Sequence, residues 1–386
     1  MARTVTIAMN GVTGRMGLRQ HLLRSILPLR SAGGILLPDG SRVQVEPILV
    51  GRDEEKLREI AAAHGVASWT TDLDAILGDS HVDIYFDAQI TSRRYAALTA
   101  AMQAGKAIYT EKPTAETLDE AIDLARLRER VGVTAGVVHD KLYLPGLRKL
   151  RRLVDEGFFG RILSVRGEFG YWVFPGDDQP AQRPSWNYRS QDGGGITTDM
   201  FSHWNYVLEG IVGSVESVIA TTATHVPTRW DEQGQPYAAT ADDAAYAIVE
   251  VVTPQGDRVI AQINSSWAVR VHRDELVEFQ VDGTHGSAVA GLFSCVVQPA
   301  SATPRPVWDP DQPTQEHFRG QWMEVPDRDD FPNGFMAQWE EFLTDYLAHR
   351  EHRFDLASAA RGVALAQASL RSAAEHRRVI VEPIQL

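Results

Sequence analysis

Cysteine is almost absent from this chain: Cys295 is the single one in 386 residues. No internal disulfide can form, so stability must come from core burial. The lone thiol reads as a small buried hydrophobe rather than a nucleophile. It fits a reducing compartment, and a cytoplasmic protein is expected. Positive charge is also short, with 38 Lys and Arg against 51 Asp and Glu, a net charge of -13. That balance opposes a phosphate backbone, so no nucleic acid partner is expected. No apolar run approaches the roughly 20 residues of a membrane span. The N-terminus has no charged stretch leading into an apolar one, so neither a signal peptide nor a membrane partner is expected. Internal repeats and low-complexity linkers are missing as well.

What remains is the composition of a soluble globular protein, 44% hydrophobic and 23% charged, long enough for two domains. Residues 4–9 alternate as a first strand, and the glycine turn Gly11-Val12-Thr13-Gly14-Arg15-Met16-Gly17 follows. A helix is expected over 18–27, a hairpin or loop insertion over 31–42 and a strand over 45–50. Helices over 54–64, from Asp72, over 94–104 and over 117–131 alternate with strands over 83–86, 107–110 and 133–138. This is the rhythm of a doubly wound parallel sheet. After a helix over 145–157 come longer strands, over 162–172, 215–224, 244–253, 258–267 and 275–282, several joined by short glycine turns. They indicate a large, mainly antiparallel sheet. A Pro/Asp-rich loop over 302–330 precedes two closing helices. The fold class is therefore α/β: a Rossmann domain over 1–138, then an α/β domain over 139–386 for substrate binding and oligomerisation, with the last helix free to return to the first domain.

Three motifs carry chemistry. A glycine turn between the first strand and a helix lets backbone approach a pyrophosphate at a helix N-terminus. Gly11, Thr13, Gly14, Arg15 and Met16 are its expected cofactor contacts. Its first glycine interval is one residue longer than in G-x-G-x-x-G. Second, Glu111-Lys112-Pro113 ends a core strand at the carboxyl edge of the sheet, where ligands bind. Third, Gly193-Gly194-Gly195 leads into Asp199 and His203, spaced i, i+4 and so on one helical face. A surface ion pair would be the plain account of that pair. The triple glycine points instead to close packing or a ligand. A zinc site there lacks partners, and no metal is expected. Strand two ends at Gly51 and Arg52, where NAD-binding chains place a ribose-binding carboxylate. NADP is favoured over NAD, although Asp53 can serve either as a helix cap or as that acid. The aromatic residues Tyr171, Trp172, Trp186, Tyr188 and Trp204 suit sugar stacking or core packing equally.

On these residues the chain resembles the Gfo/Idh/MocA oxidoreductases, the group of glucose-fructose oxidoreductase and inositol dehydrogenase. Ala104-Gly105-Lys106, Asp242-Asp243, Gly283-Thr284-His285-Gly286 and Arg371-Ser372 extend the resemblance along the chain. It implies hydride exchange between a nicotinamide cofactor and a hydroxyl or keto carbon of a sugar, cyclitol or related polyol. By the same resemblance Lys112, Asp199 and His203 are catalytic. Lys112, Lys141, Trp172, Tyr188, Asp199 and His203 bind substrate, while Gly51, Arg52, Glu111 and Lys112 join the glycine turn around the cofactor. A homodimer or homotetramer is expected. Four features depart from the family pattern: Ile90-Thr91-Ser92-Arg93-Arg94, Asp140-Lys141, Tyr206 three residues past His203, and the extra segment 31–42. Two other readings stay open: an NAD-retaining enzyme that cleaves glycosides by transient oxidation, and a catalytically silent sugar-sensing protein.

Overall fold

The structure, a computed structural model, describes residues 4–37, 39–314, 316–328 and 333–386. Pro38 of the expected insertion, and Gln315, Asp329 and Asp330 of the Pro/Asp-rich loop, lie outside the described residues. The chain divides into two compact units, one of Met1–Tyr143, Phe331–Val363 and Pro383–Leu386, the other of Leu144–Asp330 and Ala364–Glu382.

The first unit is a Rossmann sheet. Its strands are β1 (Thr4–Asn10), β2 (Ile35–Leu36), β3 (Arg42–Val50), β4 (Ser68–Thr70), β5 (Ile84–Asp87), β6 (Ala107–Thr110) and β7 (Ala135–Val137). The order β2-β3-β1-β5-β6-β7, with β4 also on β3, reverses direction at β1. Ligands bind beyond the strand ends at such a reversal. All pairings are parallel except β2 on β3, so the segment 31–42 does form a hairpin. A π-helix, Met16–Ile26, follows the glycine turn and continues into α1 (Leu27–Ser31). The expected helix over 18–27 thus starts earlier, ends later and is wound more loosely. The remaining helices are α2 (Glu54–His64), α3 (Leu73–Gly78), α4 (Thr91–Gln103) and α5 (Leu118–Val131). Their starts are locally encoded. Asp72 caps α3, and Thr117 with Glu120 forms a capping box on α5. Each satisfies backbone N–H groups that a helix leaves open.

The second unit is built on a nine-stranded sheet, flanked by α6 (Pro145–Asp155) and α7 (Ile196–Ile211). Its strands are β8 (Ile162–Gly170), β9 (Ser214–Ala223), β12 (Ala244–Val252), β13 (Arg258–Ser266), β14 (Val277–Gly283), β15 (Gly286–Ala290), β16 (Cys295–Pro299), β17 (Met323–Glu324) and β18 (Val379–Ile380). A separate hairpin pairs β10 (Thr228–Trp230) with β11 (Pro236–Ala238). Only β8 with β13 is parallel in the large sheet. Inward residues pack under α7: the Trp204 indole stacks on Phe279 and donates to Ser265 Oγ at 2.8 Å. On the opposite face Ile219, Tyr246, Ile248 and Ile260 are each more than 40% exposed.

Two helices precede β18, α8 (Gly334–Leu347) and α9 (Leu356–Glu375). Trp339, Phe342, Leu343 and Leu347 of α8 share a core with β1 and β3. The Trp339 and Phe342 rings lie 4.2 and 4.5 Å from Tyr109 of β6. This aromatic packing groups α8 with the first unit. Leu356, Ala360 and Val363 open α9 within the Rossmann core, and Ser372 near its end accepts from Ala220 N–H on β9.

Candidate active site

The glycine turn is shaped by contacts that no side chain would fit. Gly11 has φ +89°, and a Cβ there would stand 2.5 Å from the Ala88 carbonyl carbon. A Cβ on Gly17 would meet Gly11 O at 2.4 Å. The turn closes through Gly14 N–H to Gly11 O at 3.0 Å. No acidic residue occupies the first turn of the following helix, and no side chain caps it. Open N–H groups and bare backbone at a helix start suit a dinucleotide pyrophosphate. At the end of β3, Gly51 would hold a Cβ 3.3 Å from Leu57, and exposed Arg52 follows. Asp53 caps α2, its Oδ1 accepting from Lys56 N–H at 3.1 Å.

The carboxyl ends of β1, β5 and β6 are tied by a buried network. Asn10 donates to the Tyr85 hydroxyl at 2.9 Å, and Tyr85 donates to Asp87 Oδ2 at 2.8 Å. Arg94 pairs with Asp87 Oδ1 at 3.1 Å and donates to the Pro113 carbonyl. Arg94, read from sequence only as a departure from the family pattern, therefore secures the turn that carries Lys112. That turn contains a cis Lys112–Pro113 bond. On its other flank Glu111 meets His21 Nε2 at 2.9 Å. Burial pushes the Glu111 carboxyl up, but the His21 hydrogen bond and the nearby cations Arg94 and Lys112 outweigh it and hold the group below its ordinary value. Lys141 lies on the short helix Asp140–Tyr143, paired with Asp140 at 2.6 Å.

In the second unit the triple glycine brings loop and helix into close contact. A Cβ on Gly194 would meet Trp186 O at 2.4 Å. Gly195, at φ +121°, lies against Asp242, whose Oδ1 would be 2.5 Å from an added Cβ. Asp242 Oδ2 in turn accepts from Thr197 N–H at 2.9 Å and Thr197 Oγ1 at 2.6 Å, capping α7 from outside. Burial pushes that carboxyl up against these bonds. Asp199 and His203 then fall one turn apart on α7. His203 Nδ1 lies 2.6 Å from the Tyr206 hydroxyl, so the family departure at Tyr206 is the histidine's own partner. Sequence spacing alone missed Arg183. Its Nη1 is 3.3 Å from Asp199 Oδ2, its Nε donates to the Tyr171 hydroxyl at 3.3 Å, and it stacks 4.3 Å over Trp267. It comes from a loop with no pattern that marks it. Tyr188 is 2% exposed, wedged between Arg229 and Trp267, and burial pushes its phenol up to about 12. Trp172 is half-buried under Arg270.

Among the described residues Glu341, Asp345 and His352 could in principle offer metal ligands. Arg353 pairs with Glu341 and Arg350 with Asp345, while His352 Nδ1 bonds Asp345 at 2.9 Å. These partners account for the cluster as an ion-pair network. No helix among the described residues is long and apolar enough to cross a membrane.

A Rossmann sheet with a naked phosphate turn at its reversal point is suited to a dinucleotide cofactor. Comparison with known proteins agrees. Residues 7–139 match the oxidoreductase family with an NAD-binding Rossmann fold, and residues 147–289 match the GFO/IDH/MocA C-terminal domain. The chain belongs to the GFO/IDH/MocA family. It is 69% identical over 382 residues to a D-xylose dehydrogenase of Paenarthrobacter nicotinovorans, covering 99% of this chain and 98% of that one. A levoglucosan dehydrogenase of Pseudarthrobacter phenanthrenivorans is 25% identical over 72% of this chain and 71% of its own. A solved levoglucosan dehydrogenase in complex with NADH and L-sorbose shares the fold, with a TM-score of 0.80 at 19% identity, covering 98% of this chain and 99% of that chain.

Proposed function

We propose that this enzyme oxidises D-xylose. The observation that carries the substrate is the 69% identity to a D-xylose dehydrogenase along 99% of the chain. The backbone of Gly11, Thr13, Gly14, Arg15 and Met16 holds the cofactor pyrophosphate, with Gly51 and Arg52 at the adenosine ribose and Glu111 and Lys112 toward the nicotinamide. The cofactor, when bound, supplies the acceptor for the hydride. His203 takes the hydroxyl proton as general base. For Nε2 to be that base, Nδ1 must carry the other proton and donate to the Tyr206 oxygen. Lys112 offsets the charge that grows on the substrate oxygen. Asp199, with Arg183 as counter-ion, accepts from a second hydroxyl and fixes the sugar's orientation. Lys141 and Trp172 contact the sugar, and Tyr188 acts from behind by backing Trp267 and Arg183.

NADP is the preferred cofactor. Gly51 offers no carboxylate to repel a 2′-phosphate, Arg52 can pair with one, and Asp53 is engaged as a helix cap. The protein works as a homodimer or homotetramer joined through the open sheet face, where Ile219, Tyr246, Ile248 and Ile260 need cover. A reducing cytoplasm suits its single buried Cys295. The test is initial-rate kinetics on D-xylose and a panel of other aldoses and inositols, with NADP and NAD in turn. Reduction of a cofactor by D-xylose with the highest kcat/KM of the panel supports the proposal. A chain that reduces neither cofactor with D-xylose, or prefers an inositol, overturns it.

A further inference from the structure

We infer that His21 is a positioning residue for Lys112, acting through Glu111 and fixed in its tautomer by Trp339. This rests on the role given to Lys112 above. The argument begins with an indole, which can only donate. Trp339 Nε1 lies 3.0 Å from His21 Nδ1, so Nδ1 must present its lone pair. The proton of the neutral ring is then on Nε2, which donates to Glu111 Oε1 at 2.9 Å. Glu111 Oε2 in turn accepts the Lys112 backbone N–H at 3.3 Å. The relay is buried: His21 and Trp339 are 0% exposed and Glu111 8%. A buried polar group that loses its partner is costly. Packing holds the ring as well, with Phe86 4.4 Å and Phe335 5.1 Å from its centroid.

The geometry has a functional direction. His21 sits on the π-helix that starts at the glycine turn, and Glu111 directly precedes Lys112. The relay therefore sets the position of the lysine turn relative to the helix whose start receives the pyrophosphate. Arg94 holds the far side of the same turn at Pro113. Removing the relay should loosen Lys112 without removing any group that touches the sugar.

The experiment compares His21→Leu, His21→Gln, Trp339→Phe and Lys112→Ala with the native enzyme. It reads kcat, KM for D-xylose, cofactor Kd by fluorescence titration, and Tm. Nitrogen NMR of the His21 ring reports the tautomer. A lysine displaced by a fraction of an ångström to 1 Å costs up to roughly 100-fold in rate. His21→Leu is expected to lower kcat about 10–100-fold, with KM and Kd each within about threefold. Glutamine can accept with its oxygen and donate with its nitrogen, so His21→Gln should recover most of kcat. Trp339→Phe should give an intermediate loss and a mixed tautomer, and it tests the relay even if His21→Leu does not fold. A native ring protonated on Nδ1 overturns the inference. So does a His21→Leu kcat within twofold of native, or a glutamine variant of native Tm that is no better than leucine. If Lys112→Ala keeps near-normal turnover, the role of Lys112 and this inference fall together. An inactive Lys112→Ala beside a fully active His21→Leu removes this inference alone.

Discussion

Arg183→Met tests whether the partner found beside Asp199 matters to the sugar or only to the fold. Methionine keeps much of the stem's packing and removes the charge, the fork and the stack on Trp267. Three polar contacts disappear, at 3.3 Å to Asp199, 3.3 Å to Tyr171 and 3.5 Å to Asn187. A hydrogen bond to a charged group is worth roughly 1.5–3 kcal/mol when well formed, and these are long ones. The side chains of Arg183 and Asp199 are 23% and 32% exposed, so solvent screens the pair in part. With about 0.5–1 kcal/mol for the cation–π contact, the loss in stability is about 1–2.5 kcal/mol. For a protein of this size that is a Tm fall of roughly 1–3 °C. On the proposed role of Asp199 as a sugar contact, that carboxylate also loses its cation, and weakening the contact by about 1.4–2.5 kcal/mol should lower kcat/KM roughly 10–70-fold. Thermal melts and steady-state kinetics on D-xylose read both quantities. Arg183→Lys, which keeps charge without the fork, should fall between. A kcat/KM within twofold of native beside the expected Tm fall would make Arg183 purely structural. An unchanged Tm would show that its contacts contribute nothing.

Three further outcomes are expected. Arg52→Ala should lower the NADP-to-NAD affinity ratio roughly 10-fold or more, for one lost charge-assisted contact; isothermal titration with each cofactor measures it, and an unchanged ratio would place 2′-phosphate recognition elsewhere. Ile248→Asp, on the open sheet face, should convert the proposed oligomer to monomer by light scattering, and a native protein that is already monomeric, or an unaltered mass in the variant, would remove that face as the interface. Glu111 is held below its ordinary value in the folded state, so its contribution to stability is present above its unfolded pKa, near 4.5, and is lost as pH falls through the folded value. The Tm gap between native enzyme and Glu111→Gln should therefore narrow on acidification below about pH 4.5; a gap constant from pH 7 to pH 3 would contradict the sign of the shift.

Much of the fold was legible because its determinants are local. Helix α2 and strand β6 fall where periodicity put them, and Asp72, Thr117 and Gly105 mark helix ends as capping chemistry requires. The short strands β4, β10, β11 and β15–β18 escaped because two to five residues carry too little alternation to register. Lys112, Asp199 and His203 were picked out as candidates through motifs continuous in the chain. Their supports were not. Trp339 reaches His21 across 318 residues, and Arg183 reaches Asp199 from an irregular loop. Such pairings are set by tertiary packing, which no local spacing encodes. Tyr206 was visible as a departure, but its meaning as the partner of His203 required the helix.

The most direct test of the account is the single-turnover rate of D-xylose oxidation by His203→Ala, with cofactor Kd measured alongside. A general base contributes about 10²–10⁴-fold, so the rate should fall by that factor while Kd stays within about twofold. A variant that oxidises D-xylose at a near-native rate would contradict the assignment of proton transfer to this histidine.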